Sequence, residues 1–103
     1  MLDFEIEIPE GNAIECLEAK VELWAGEIGL TCTLKTSLRK SVGSIHWHFK
    51  QGKTRGTLEV TLSPSSGRLW CSIQAGRTGD WLEGAIQSLN GTIGGSVCRL
   101  LLG

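Results

Sequence analysis

Ile45-His46-Trp47-His48-Phe49-Lys50, then Leu58-Glu59-Val60-Thr61-Leu62, then Leu69-Trp70-Cys71-Ser72-Ile73 are the three runs whose reading decides the fold. Apolar residues recur at every second position in each, the period of a strand with one buried face. The segments between them, Gln51 to Gly56 and Pro64 to Gly67, are made of turn formers, so the runs read as consecutive antiparallel strands. A slip of one residue would turn every apolar set toward solvent, which constrains the pairing. Four-residue loops at 52–55 and 64–67 then place Phe49 opposite Leu58, Trp47 opposite Val60, Val60 opposite Cys71 and Leu62 opposite Leu69. Leu30-Cys32-Leu34 repeats the alternation and predicts a fourth strand alongside, with Thr31, Thr33 and Lys35 on the other face.

Outward from this meander, Leu2, Phe4, Ile6 and Ile8 alternate with Asp3, Glu5 and Glu7, predicting a further strand that Pro9 to Gly11 ends. Asn12 and Glu15 have capping-box spacing, and Ile14, Leu17, Val21 and Trp24 follow at helical intervals up to Gly26. This predicts a helix over 13–25, with a hairpin through Lys20 to Trp24 as the alternative. Asp80 and Glu83 make a second cap, before Trp81, Leu82, Ala85, Ile86 and Leu89 on one helical face ending near Asn90-Gly91. Val97 to Leu102 reads as a last strand or a docked tail. The expected architecture is α+β: a two-layer sandwich of four to six mainly antiparallel strands, with one or two helices packed on one face.

At 103 residues the chain is one domain, 1–103, and its 41% hydrophobic and 20% charged content argue against global disorder. The N-terminus lacks a basic region followed by an apolar core, and no run approaches membrane-spanning length, so a cytoplasmic protein without membrane contact is expected. Cys16, Cys32, Cys71 and Cys98 are widely spaced, without the close pairs of zinc or redox motifs, and read as reduced, mostly buried thiols. Charge is sorted by position. Residues 1–27 carry eight acids and one base, residues 28–58 carry six bases and no acid, and the remainder balances at three of each. Such polarity bears on partner choice and association rate.

The register also dictates the polar face, where His46 neighbours Thr61 and then Trp70, while His48 neighbours Glu59 and then Ser72. His46 and His48 point the same way, with Glu59 about 5 Å from His48 between Cβ atoms. Two imidazoles and a carboxylate are a ligand set for zinc or non-haem iron that leaves a position open, and they raise the possibility of a metal-dependent enzyme. Set against it are ordinary solvated cross-strand pairs and the flatness of a sheet face. Ser72 cannot complete a hydrolytic triad, because Glu59 stands between it and His48 and the imidazole must be central. Ala75 to Gly79 lacks the Lys-Ser/Thr ending of a phosphate loop, and Asp80 would repel the anion, although Arg77 suits an acidic ligand.

Trp24, Trp47 and Trp81 fall on apolar stripes, whereas Trp70 falls on the polar face. It suits an interface, stacking on a planar ligand, or cover by another element. With the basic loop Lys50, Lys53 and Arg55, it points first to a small non-enzymatic interaction protein. Trp70, His46, His48, Lys50, Lys53, Arg55 and Arg77 would bind another protein or a second copy, with no cofactor required. Single-stranded nucleic acid, with phosphates on the basic loop and a base on Trp70, is a third reading, weakened by the mildly acidic pI near 6.1. Outward Asp3, Glu5 and Glu7 match His46, His48 and Lys50 in number and period, so the alternative expectation is that acidic and basic charges compensate within one chain or across a dimer.

Overall fold

The computed structural model describes residues 2–9, 14–37 and 43–94. Five antiparallel strands, β1 (Leu2–Ile6), β2 (Thr31–Ser37), β3 (Ile45–Lys50), β4 (Leu58–Ser63) and β5 (Arg68–Ile73), form one sheet in the order β1-β5-β4-β3-β2. Two helices, α1 (Ile14–Glu27) and α2 (Leu82–Gly94), complete an α+β fold. The central register is the one the alternation and loop lengths require: Trp47 pairs with Val60, Val60 with Cys71, Phe49 with Leu58 and Leu62 with Leu69. These residues are fully buried or nearly so, and share one core with Leu17, Val21 and Trp24 of α1 and Leu82, Ile86, Leu89 and Ile93 of α2. The indole N–H of Trp24 donates to Ser88 Oγ at 3.0 Å, tying the helices together, and the Trp24 ring meets Phe49 edge-on.

Residues 20–24 are helical, so the hairpin alternative does not occur. Leu23, off the apolar stripe, is exposed. α2 begins at Leu82 rather than at Trp81, and continues through Asn90 and Gly91 to Gly94 because Leu89 and Ile93 both find places in the core. Asn12 and Val97 to Leu102 lie outside the described residues. The N-terminal strand docks on β5, with Asp3 opposite Ser72 and Glu5 opposite Trp70, so β1 and β2 are the two edges. Asp3 and Glu5 therefore meet β5, not the basic row of β3: Ser72 donates to Asp3 at 2.7 Å and Arg68 pairs with Glu5 at 2.9 Å.

β2 departs from its expected facing. The pairing with β3 shifts between Cys32 and Leu34, leaving Thr33 as the inserted residue of a bulge, its hydroxyl donating to the His48 carbonyl at 3.3 Å. Beyond it every side chain changes face. Leu34 lies opposite His48 on the polar side and is 43% exposed, while Lys35 lies opposite Trp47 on the helix side. There the Lys35 ammonium pairs with Glu18 and Glu22 of α1, and is held above its usual pKa by those hydrogen bonds. The Glu22 carboxyl lies below its ordinary value, chiefly through the hydrogen bond from Lys35. Acid–base compensation within the chain is thus present, but joins α1 to β2 and β1 to β5.

The thiols also divide. Cys71 is buried and its pKa is pushed up to about 12, Cys16 is half-buried, and Cys32 is exposed on the edge strand, contrary to a buried set. Among the described residues no helix is long and apolar enough to cross a membrane.

These placements have a stability signature readable by urea denaturation. Trp47→Ala is expected to cost about 3–5 kcal/mol through the cavity it leaves. Leu34→Thr should stay within about 0.5 kcal/mol, as for other exposed positions. A multi-kilocalorie loss at Leu34 would put that residue back in the core and remove the bulge.

Candidate metal centre

β3 and β4 carry the site. Trp47 and Phe49 must face the helices, so the intervening His46 and His48 project from the opposite side, and the antiparallel register sets Thr61 and Glu59 beside them. The three potential ligand groups converge. His46 Nε2 lies 3.1 Å from His48 Nε2 and 3.2 Å from Glu59 Oε1, and His48 Nε2 lies 3.7 Å from the same oxygen. His46 Nδ1 is 2.7 Å from Thr61 Oγ1. When Nδ1–H donates to that hydroxyl, Nε2 carries the lone pair, and the ring is fixed in the tautomer that ligates through Nε2. Burial lowers the pKa of His48; the Glu59 carboxylate opposes this, while His46 and Arg77 add to it. A neutral imidazole is the ligating form.

Glu59 is the unusual member. Its side chain is only 5% exposed, and Oε2 is buried without a hydrogen-bond partner. A lone carboxylate so far from water is costly unless a cation sits beside it. Its cationic neighbour is Arg77, whose Nη1 is 3.9 Å from Oε2, an ion-pair distance too long for a hydrogen bond. Nor does Ser72 help, since its hydroxyl is committed to Asp3, which also disposes of any Ser–Glu–His relay. His46, His48 and Glu59 are the group of three or more potential ligands found among the described residues, with their atoms within 4.8 Å of one another.

The remaining residues expected at the surface separate into two groups. Trp70 is half-buried beside Thr61 and Glu5, and the Arg68 guanidinium lies 4.8 Å from its ring centroid. Part of the aromatic surface that a base or sugar would stack on is already in use. Lys50 is half-buried at the end of β3, while Lys53 and Arg55 are exposed in the following loop. That loop is pinned to the one after β5: Thr57 N–H donates to the Arg77 carbonyl at 3.0 Å, and the Trp81 indole N–H donates to the Arg55 carbonyl at 2.8 Å. The approach is so close that a Cβ on Gly79 would overlap the Arg55 carbonyl oxygen, and Gly56 faces it with φ of +113°. Arg55, Thr54, Thr78, Gly79 and Asp80 line a hollow of about 400 Å³ there, Asp80 supplying the negative charge that disfavours phosphate in it.

On the bulged strand, Leu34 and Thr36, not Thr33 and Lys35, lie opposite His48 and His46. The sequence reading set Thr61 beside His46 without assigning it a hydrogen bond, and it missed the contact of Arg77 with Glu59. Thr61 as the partner of His46 Nδ1 had a signal, direct cross-strand adjacency. The Arg77 contact with Glu59 had none, because it depends on how a loop folds back. The chain matches no protein-family model, no curated protein and no solved structure.

Whether Glu59 serves structure or a ligand is testable on metal-free protein. In chelator, Glu59→Gln should hold or raise the melting temperature, because it removes a poorly compensated buried charge. A loss of about 3 kcal/mol or more would make Glu59 half of a structural ion pair instead.

Proposed function

We propose that this protein binds one divalent transition-metal ion, zinc, through His46 Nε2, His48 Nε2 and Glu59 Oε1, and keeps a fourth position open. The observation that carries this reading is the spacing of the three donor atoms, 3.1, 3.2 and 3.7 Å. Bonds of 2.0–2.1 Å in a tetrahedron set ligand–ligand edges of about 3.3 Å. One face of an octahedral iron site would set them at about 3.0 Å. The observed edges straddle the tetrahedral value. With Nε2 of both imidazoles unprotonated, the three donor atoms present lone pairs that a single cation between them would share. Two imidazoles with one carboxylate disfavour calcium and magnesium, which take oxygen ligands. Zinc in such a three-ligand site acts as a Lewis acid on whatever fills its fourth position.

Cobalt(II) offers a direct test, since tetrahedral cobalt shows intense visible bands. Wild-type protein should take up one equivalent, with zinc displacing it. His46→Ala, His48→Ala and Glu59→Gln should each weaken uptake by about tenfold or more while the far-ultraviolet circular dichroism is unchanged. A wild-type protein that binds neither ion by titration calorimetry rules the centre out.

A second reading, a protein partner on the basic corner, is favoured by the rigid exposure of Lys53 and Arg55. Their loop is locked by the Trp81–Arg55 hydrogen bond, so little order is lost when it is bound. Lys53→Glu with Arg55→Glu should slow association with an acidic polypeptide, and more so at low salt, because rim charges steer encounter over about 8 Å. Association rates unchanged at every ionic strength would dismiss that surface.

A further inference from the structure

We infer that the open position of the metal centre takes a small oxyanion, bound by the metal on one side and by the Arg77 guanidinium on the other. This rests on the metal reading above and adds the class of ligand. Arg77 is close enough to neutralise Glu59 Oε2, at 3.9 Å, but donates no hydrogen bond to it, and its side chain is 48% exposed. A guanidinium has five N–H donors in a planar fork that matches carboxylate or phosphate oxygens in pairs. Here the fork stands beside the ligand set with its donors unspent on Glu59.

The charge around the centre points the same way. A bound divalent ion with one carboxylate, two neutral imidazoles and one guanidinium leaves a net +2. Lys50, two residues from His48 on the same face of β3, adds to it. Apart from Glu59, the acids on the strands of this sheet face are Asp3 and Glu5 on β1, beyond β4 and β5 and about 14 Å from β3. Both are already engaged, Asp3 by Ser72 and Glu5 by Arg68. Asp80 faces the hollow beside Arg55 at the neighbouring corner. A neutral ligand would leave this field uncompensated, whereas an oxyanion meets both the metal and the fork.

The backbone holds Arg77 for the task. Its own N–H donates to the Gln74 carbonyl at 3.0 Å and its carbonyl accepts from the N–H of Thr57, which stands two residues before Glu59, so the loop after β5 is tethered to the start of β4. Short-range placement of this kind aims a long side chain along the strand toward the carboxylate.

The experiment uses cobalt-loaded full-length protein, titrated separately with inorganic phosphate and with acetate while the visible spectrum is recorded, with perchlorate holding ionic strength constant. A saturable band shift is expected with at least one anion, and which one responds identifies a phosphate or a carboxylate ligand. Arg77→Met should weaken that response by about tenfold while cobalt still binds at one equivalent. Arg77→Lys, which keeps the charge but loses the fork, should fall between. Normal cobalt binding with a spectrum indifferent to both anions overturns the inference and leaves the metal centre standing. An anion response equal in wild type and Arg77→Met overturns the role of Arg77. No cobalt band at all removes the centre and this inference with it.

Discussion

Trp47 has no exposed surface, and its indole N–H donates to Glu22 Oε2 of α1 at 3.1 Å. Its ring stacks with Phe49 two residues along the same strand. A pleated strand cannot bury Trp47 and Phe49 without turning His46 and His48 to the opposite face. The same parity on β4, enforced by Leu58, Val60 and Leu62, sends out Glu59 and Thr61. The polar cluster therefore needs no scaffold of its own. It is held by the core, and packing α1 and α2 on one face is what brings His46, His48 and Glu59 together on the other.

The cost of that economy falls on Glu59. A central strand flanked on both sides leaves little solvent for a carboxylate, and Thr61, Ser63 and Ser72 are buried polar groups of the same face. Serines and threonines satisfy themselves locally, as Ser72 does with Asp3 and Ser63 with the Ser66 hydroxyl at 2.8 Å. A charge cannot. Glu59 Oε2 has the Arg77 guanidinium at 3.9 Å as a counter-charge but no hydrogen-bond donor of its own.

The central sheet and the His46–His48–Glu59 grouping were legible from residues alone, because period-two alternation and four-residue loops constrain the register independently. β2 was not. Its letters alternate as cleanly as those of β3, yet Thr33 adds one residue and reverses Leu34 and Lys35, a choice made by the acids of α1 rather than by anything local. The N-terminal strand had legible facing but no legible neighbour, since strand order depends on tertiary packing that alternation does not encode. The Arg77–Glu59 contact was hidden for a related reason: it follows from one backbone hydrogen bond between two loops. The three-dimensional grouping of donors could thus be anticipated, but not the orphaned oxygen that distinguishes it from an ordinary polar cluster.

The bulge in β2 has a consequence for the protein in a crowded solution. β2 is an outer strand with all seven residues exposed, the kind of surface on which another chain's strand can align and continue the sheet. An inserted residue bends the strand and breaks the even spacing of its free N–H and C=O groups, so an incoming strand cannot follow it in register. Lys35, placed by that insertion over α1 and ion-paired there with Glu18 and Glu22, puts a polar, committed side chain on the edge instead of an apolar one. One extra threonine thus does for this margin what a covering helix does for others: it lets the sheet end.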